Sequence, residues 1–425
     1  MRFCVSTLGC KVNQFESQAI ESILVSRGHE LVRAGEGCDV CIINTCAVTA
    51  ESSRKSRQAV RRLKKLEPDA LIAVCGCLSQ LESDEIASLG ADLIGGSGDR
   101  EEFALAVEGF FAKSQPKIVT SPLDRVFEEL PPGVAAGRTR GMLKIQDGCD
   151  NFCAYCVIPY ARGRSRSLPV ERAAQAARLL EAEGVREIVI TGIEISSYGK
   201  DLDATLTDVV RAVGQAAPGA RLRLGSLPPS SVTEDFCREL AGVNLCRHFH
   251  LSLQSGCDDT LRRMGRKYDT DDVRDAIERL RRCFPGCGIT ADLITGFPGE
   301  TDSEFGQTLA FIKSAKFSDM HIFPFSPRPG TRAYEMPEQV EKSVRRARAG
   351  VAAKAAREMS RDFKQSQIGK MLEVLFERED DGDWVGYSDN YLEIRVRSGG
   401  SKNSIHSVQI TDARGDLVWG EIIGL

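Results

Sequence analysis

The chain has 425 residues, 42% of them hydrophobic and 27% charged, with a net charge of −4 at pH 7. This balance suits two or three globular domains and excludes polyanion binding by bulk charge. It also leaves no apolar run near the roughly 18 residues of a membrane helix. Fifteen cysteines, an odd number, point to a reducing, cytoplasmic compartment where thiols bind metal rather than pair.

Residues 1–115 alternate short apolar runs with helical patterns, the signature of a parallel-sheet α/β domain. Met1 to Leu8 reads as a strand and not as a secretion signal. Asn13, with Glu16 three residues on, reads as a capping box. The helix it opens carries Phe15, Ile20, Ile23 and Leu24 on one side and stops near Gly28. Val40 to Ile43 and Leu71 to Cys75 are further strands. Between them runs a basic helix from about Thr49 to Leu66, with seven cations and no acid from Arg54 to Lys65. Cys10, Cys46 and Cys77 each fall just past the carboxyl end of a predicted parallel strand, the edge where sites collect in open α/β sheets. Three loops there can bring three thiolates together although they are far apart in sequence. Singly, each is as well explained as a buried core thiol.

Residues 116–138, with Pro116, Pro122, Pro131, Pro132 and Gly133, read as a linker. Over residues 139–366, strands recur near 142, 187, 221, 248, 289 and 320 with helices such as Val170–Ala182 and Asp271–Arg282 between them. This pattern suits a partial (β/α)6 TIM-like barrel with its site at the carboxyl strand ends. Gly192, Glu194, Ser226 and Gln254 stand at those ends, and each alone is a common turn or loop residue. Residues 367–425 supply five short strands, read as a small OB-like β-barrel in which Tyr387, Tyr391 and Arg395 are candidate RNA contacts.

At the first strand of the middle domain stands Cys149-x3-Cys153-x2-Cys156. Three thiolates suit a soft metal centre, and a cubane iron–sulfur cluster normally takes four, so one iron would stay open. A zinc knuckle fits less well, because zinc favours paired C-x2-C units with a fourth ligand near. Cys38-x2-Cys41 and Cys283-x3-Cys287 lack such completion and, with Cys4, Cys75, Cys237, Cys246 and Cys257, read as structural thiols.

Taken with Leu8-Gly-Cys10, Asn44-Thr-Cys46, Gly76-Cys77 and the terminal barrel, the chain resembles the radical S-adenosylmethionine (SAM) methylthiotransferase family over essentially its whole length. The resemblance implies an N-terminal methylthiotransferase domain, a radical SAM domain and a terminal TRAM domain. It implies two 4Fe–4S clusters, one on Cys149, Cys153 and Cys156 that binds SAM, and an auxiliary one on Cys10, Cys46 and Cys77. Thr191-Gly-Ile-Glu194 stands where the superfamily has Gly-Gly-Glu, which would set Glu194 against the SAM amino group, with Ile193 departing from the pattern.

Leu8-Gly-Cys-Lys-Val-Asn13 is similar to the branch that methylthiolates C2 of N6-threonylcarbamoyladenosine at position 37 of tRNA. The alternatives are isopentenyladenosine in tRNA and a ribosomal-protein aspartate. A non-catalytic iron–sulfur RNA-binding protein is the rival of another class. The expected partners are a tRNA anticodon loop and an electron donor such as flavodoxin or ferredoxin, with the sulfur source left open. The basic helix from Arg54, the arginines at 162, 164 and 166, and the cluster Arg262, Arg263, Arg266 and Lys267 are expected to meet phosphate.

Overall fold

The computed structural model describes residues 1–113, 117–119, 123, 126–132 and 139–423. The first sheet is wholly parallel and comprises β1 (Arg2–Thr7), β2 (Glu30–Leu31), β3 (Val40–Thr45), β4 (Leu71–Gly76), β5 (Leu93–Gly95) and β6 (Lys117–Val119). Their order is β2-β1-β3-β4-β5-β6, with a reversal of winding between β1 and β3. That is a doubly wound arrangement, which opens a crevice beyond the carboxyl ends of β1 and β3. Helices α1 (Lys11–Ser26) and α2 (Ala50–Leu66) leave from those ends, and α3 (Cys77–Leu81) from the end of β4 beside them. β2 is too short to show as a pattern, and β6 lies in the stretch read as a linker. Pro116, Pro122 and Gly133 lie outside the described residues.

The expected capping box is not there. α1 starts at Lys11, with Cys10 at its N-cap, so Asn13 and Glu16 sit inside the first two turns and are buried. Asn13 instead braces two loops, its Nδ2 donating to the Leu8 carbonyl at 2.8 Å and the Thr45 carbonyl at 3.0 Å.

The middle of the chain begins with β7 (Arg140–Lys144) and a two-residue antiparallel pair, β8 (Gln146–Asp147) and β9 (Arg166–Ser167). It continues with β10 (Glu187–Thr191), β11 (Arg221–Leu224), β12 (Ser226–Leu227), β13 (His248–Gln254), β14 (Gly288–Thr295) and β15 (Asp319–Pro324). All six expected strands are present in the expected order, pairing in parallel as β7-β10-β11 and β12-β13-β14-β15. The partial barrel divides at Gly225, between β11 and β12. Its largest apolar cluster fills the space between these strands and helices such as Val170–Ala182 and Thr270–Cys283.

β16 (Met371–Asp380), β17 (Asp383–Ser388), β18 (Glu393–Val396), β19 (Ile405–Arg414) and β20 (Leu417–Ile422) close into a barrel in the order β16-β17-β18-β20-β19. The sequence of β11, Arg-Leu-Arg-Leu, explains how this barrel docks. Side chains alternate along a strand, so Leu222 and Leu224 enter the core while Arg221 and Arg223 face the other way. There Arg221 donates to the Glu373 and Tyr387 carbonyls, and Arg223 donates to those of Ser388 and Asp389. Both also pair with Glu187 of β10 at 2.7 Å. Burial opposes the Glu187 charge, but Arg223, Arg221 and Arg140 together hold its carboxyl well below the usual range.

Removing one member of such a buried group leaves uncompensated charge, at a cost of about 3–5 kcal/mol. Glu187→Gln should lower the thermal midpoint by several degrees and detach the terminal barrel first, read as new proteolysis near residue 369.

Candidate active site

The two cysteine triads come from different domains and meet at one boundary. Cys10, Cys46 and Cys77 follow β1, β3 and β4, at the crevice the sheet topology opens. The glycines before Cys10 and Cys77 are set by close approach. Gly9 has φ +108, and a Cβ there would lie 2.8 Å from Cys46 Cβ; Gly76 has φ +110, and its Cβ would lie 2.4 Å from the Thr45 carbonyl oxygen. Only glycine tolerates both constraints. Asn44 and Thr45 complete the bracing, by Nδ2 to the Asn13 carbonyl (3.0 Å) and Oγ1 to the Cys75 carbonyl (2.7 Å). Burial pushes all three thiols up, and Arg162 pulls each back toward the thiolate.

Cys149, Cys153 and Cys156 lie on the loop after β8, half-buried. Its path is fixed by backbone bonds from Cys149 N to the Gly163 carbonyl and from Ala154 N to the Met264 carbonyl. Burial raises Cys149 to about 11 and Cys156 to about 12, so a cationic centre is needed to hold them as thiolates. Arg266 donates to Cys153 Sγ at 3.2 Å. None of these six cysteines belongs to a group of thiols within 4.8 Å of one another, the spacing that suits a single ion. All six are unpaired. A soft donor set spread wider than one ion requires, with an arginine beside each triad, fits a cluster with several irons.

Beyond the second triad, Gly192 packs against Gln146, where a Cβ would lie 2.9 Å from the Gln146 carbonyl. Gln146 Oε1 accepts from the Glu194 amide at 2.8 Å. The Glu194 carboxyl accepts from Ser196 at 2.9 Å and lies near Asn151 and Cys149; burial raises it. Gln254 is buried at the end of β13 with φ 65 and lines neither of the two cavities beside the triads. Ser226 opens on the larger of them.

That cavity, about 760 Å³, runs from Gly9, Cys10 and Lys11 past Thr191 and Gly192 to Tyr387 and Tyr391 of the terminal barrel. Three of the five histidines in the chain line it: His248, His250 and His321. His248 and His250 alternate on β13 and so share a face, each within hydrogen-bonding distance of Thr290 Oγ1. Asp292 pairs with His250 at 3.1 Å and His321 at 3.3 Å. Burial opposes its charge, yet those two rings hold it well below the usual range. Lys11 opens on the same space; burial, then Arg223 and Arg140, pull its ammonium below the ordinary lysine range. In sequence, the His-Phe-His alternation at the start of β13 is the signal for this wall of the cavity.

Between the triads lies a buried group of charges. Arg162 pairs with Glu16 at 2.7 Å and Asp147 at 3.1 Å, donates to Asn13 Oδ1 at 2.8 Å, and sets Nε 3.3 Å from Cys77 Sγ. Arg100 and Lys144 also pair with Glu16, and Lys144 and Arg166 with Asp147. Helix Ile158–Arg162 inserts Ile158 and Ala161 into the apolar cluster that holds Cys77 and Leu78, with Cys149 and Cys156 against it.

Several expected phosphate contacts already have partners within the protein, two of them buried. Arg162 and Arg166 are buried, and exposed Arg164 pairs with Asp150. Arg263 pairs with Glu304, Arg262 with Asp259, and Arg266 with Cys153 and Tyr268. In the terminal barrel, Tyr387 and Tyr391 line the large cavity beneath Arg140 and Arg223, and Arg395 pairs with Asp380. α2 keeps an exposed cationic face at Lys55, Arg61, Arg62, Lys64 and Lys65.

Family comparison agrees with this geometry. Residues 143–312 match the Radical SAM superfamily, and residues 2–96 match the uncharacterized protein family UPF0004. Among solved structures, the radical SAM methyltransferase TsrM from Kitasatospora setae shares the fold, with a TM-score of 0.56 at 16% identity over 78% of this chain and 76% of that one. The fold and the match over residues 143–312 thus define a radical SAM enzyme.

Among curated relatives, threonylcarbamoyladenosine tRNA methylthiotransferase MtaB of Bacillus subtilis is 37% identical over 91% of this chain and 88% of its own length. MtaB of Thermotoga maritima is 35% identical over 98% of each. The tRNA-2-methylthio-N(6)-dimethylallyladenosine synthase of Syntrophotalea carbinolica is 33% identical over 90% of this chain and 91% of its own. The chain belongs to the radical SAM tRNA methylthiotransferase family. Among the described residues no helix is long and apolar enough to cross a membrane.

The buried charges carry a pH signature. Burial opposes the Glu16 charge, but Arg162, Arg100 and Lys144 bring its carboxyl down to about 2 from an ordinary 4.5. A depressed carboxylate stabilises the fold above its unfolded pKa, and that stability is lost as pH falls through the folded one. Thermal midpoints of wild type should drop between about pH 4.5 and pH 2. Glu16→Gln should cost about 3–5 kcal/mol at neutral pH and flatten the profile across that window.

Proposed function

We propose that this enzyme methylthiolates C2 of N6-threonylcarbamoyladenosine at position 37 of tRNA, using two 4Fe–4S clusters and two SAM. The observation that carries the substrate assignment is the lining of the large cavity. A threonylcarbamoyl group bears a carboxylate, and Lys11 and His248 stand on the wall of that cavity to meet it, while His250 and His321 are engaged by Asp292. Lys11 is under-compensated, with burial and two arginines acting against it, so an anionic substituent is what its charge favours. An isopentenyl group would leave the Lys11 ammonium facing an apolar substituent, at a cost of about 1–3 kcal/mol.

Cys149, Cys153 and Cys156 would hold the cluster that binds SAM, and Cys10, Cys46 and Cys77 the auxiliary cluster. When bound, these groups supply reductive SAM cleavage and sulfur for transfer, with an electron donor of the flavodoxin or ferredoxin class. The chain's own residues do the rest. Glu194 presents an acceptor for the SAM amino group beside Cys149. Arg162 and Arg266 offset thiolate charge. Gly192 and Cys10, on facing walls of one cavity, set the two reacting centres on either side of the base. The exposed lysines and arginines of α2 guide the tRNA backbone.

Cys153→Ala should abolish 5′-deoxyadenosine formation and product together. Cys46→Ala should spare deoxyadenosine formation while product is lost; methylthiolation surviving Cys46→Ala would overturn the two-cluster reading. Mass spectrometry of tRNA nucleosides from cells with and without the protein tests the substrate. Loss of 2-methylthio-threonylcarbamoyladenosine is expected, and loss of 2-methylthio-isopentenyladenosine instead would overturn the assignment. Lys11→Gln should raise KM for the tRNA about tenfold or more, the worth of one hydrogen bond to a charged group.

A further inference from the structure

The opposite end of the first sheet carries a third group of cysteines. Cys4 of β1 and Cys41 of β3 are register partners, so their side chains leave the sheet on the same face. Cys38, three residues before Cys41, turns back to meet them. The three sulfurs lie 3.4 Å (Cys38–Cys41), 3.5 Å (Cys4–Cys41) and 3.7 Å (Cys4–Cys38) apart, all buried. A tetrahedral zinc with Zn–S bonds of about 2.3 Å sets its sulfurs about 3.8 Å apart. The group stands within a few tenths of an ångström of that size, whereas neither other triad gathers its sulfurs within 4.8 Å.

A fourth donor is at hand. Glu67, buried at the C-cap of α2, places Oε1 2.7 Å from the Gly35 amide and 3.2 Å from that of Gly37, and its carboxylate also accepts from the Cys38 amide and thiol. A carboxylate at a helix C-terminus opposes the helix dipole, so its position there gains from a cation close by. Buried cysteines often serve as small apolar side chains. That explains Cys75, which packs into an apolar cluster, but not three thiols within 3.7 Å of one another with a carboxylate beside Cys38.

We infer that Cys4, Cys38, Cys41 and Glu67 form a structural zinc site that clips the segment at 32–39 and the end of α2 to the amino edge of the sheet. The thiolate-rich set selects a soft or borderline ion, and its compactness selects one ion over a multi-iron cluster. The site is separate from the active centre, which occupies the carboxyl ends of the same strands. Its bearing on activity is positional, since β1 and β3 lead directly to Cys10 and Cys46.

The test uses anaerobically purified holoenzyme from zinc-supplemented cells. Elemental analysis should find about one zinc per chain besides iron. Zinc-edge X-ray absorption should give three sulfurs near 2.3 Å and one oxygen near 2.0–2.2 Å, within about 0.2 Å. A Cys38→Ser, Cys41→Ser variant should lose the zinc with its iron content unchanged. Glu67→Gln, whose amide oxygen can still accept from Gly35 and Gly37, should fold normally and release zinc to a chelator about tenfold faster. Three results would overturn the site: wild type without zinc, zinc that survives the double substitution and leaves with Cys46→Ala, or a Cys38–Cys41 disulfide seen as a two-dalton mass loss that reduction reverses.

Discussion

Arg162 is enclosed by side chains from two domains, and the active site depends on the charge it brings there. Four cations (Arg100, Lys144, Arg162 and Arg166) surround two buried carboxylates, Glu16 and Asp147. Even with half-buried Glu128, which accepts from the Arg100 amide, positive charge is in excess. Buried charge without a partner is costly. The partner within reach is sulfur: Arg162 Nε lies 3.3 Å from Cys77 Sγ, and Arg162 lowers all three thiols of that triad. The protein thus carries a pre-arranged counter-charge for thiolates that burial alone would keep protonated. A network of this kind contributes less to net stability than to specificity. Here it fixes the angle at which the first sheet meets the partial barrel, and with it the approach of the two triads.

The same principle runs through the other joint. Arg221 and Arg223 project from β11 because the strand alternates, and Glu187 on the adjacent strand takes both while their remaining donors bind the terminal barrel's carbonyls. One carboxylate therefore ties two sheet strands and a separate barrel. The histidine-lined cavity is the space left between these two ionic joints. Its polar walls follow from the strands that build it: the residues of β13 and β14 that do not enter the apolar core face this gap.

Strands, their order and the three-part architecture were legible because apolar periodicity and Gly/Pro punctuation are local signals. The triads were legible from spacing and from their places at strand ends. Charge was not. Arg54 to Lys65 and the arginines at 162–166 look alike in sequence, yet the first run lies on an exposed helix face and two of the second are fully enclosed. Which fate a cation meets depends on carboxylates 15 or 146 residues away, and local reading cannot supply them. The capping box at Asn13 and Glu16 failed for the same reason, since both side chains were claimed by distant partners. Tyr387 and Tyr391, candidate RNA contacts by sequence, stand on the wall of the large cavity. Arg140 lies over the Tyr387 ring and Arg223 over the Tyr391 ring, contacts that a small barrel alone does not reveal.

Sulfur spacing sorts the cysteines where sequence spacing could not. By residue interval, Cys38-x2-Cys41 resembles a metal or redox pair more than Cys10, Cys46 and Cys77 do, yet the dispersed set stands at the catalytic edge. In the fold, the criterion becomes distance and charge. The two cluster triads hold their thiols apart and face arginines, as an anionic polynuclear centre requires. Cys4, Cys38 and Cys41 crowd their thiols together and face a carboxylate, as a single divalent cation requires. A cation-facing triad and a carboxylate-facing triad on the same strands would compete for the wrong metal if they were adjacent. Placing them at opposite ends of β1 and β3 keeps the two sets of thiols apart on one sheet.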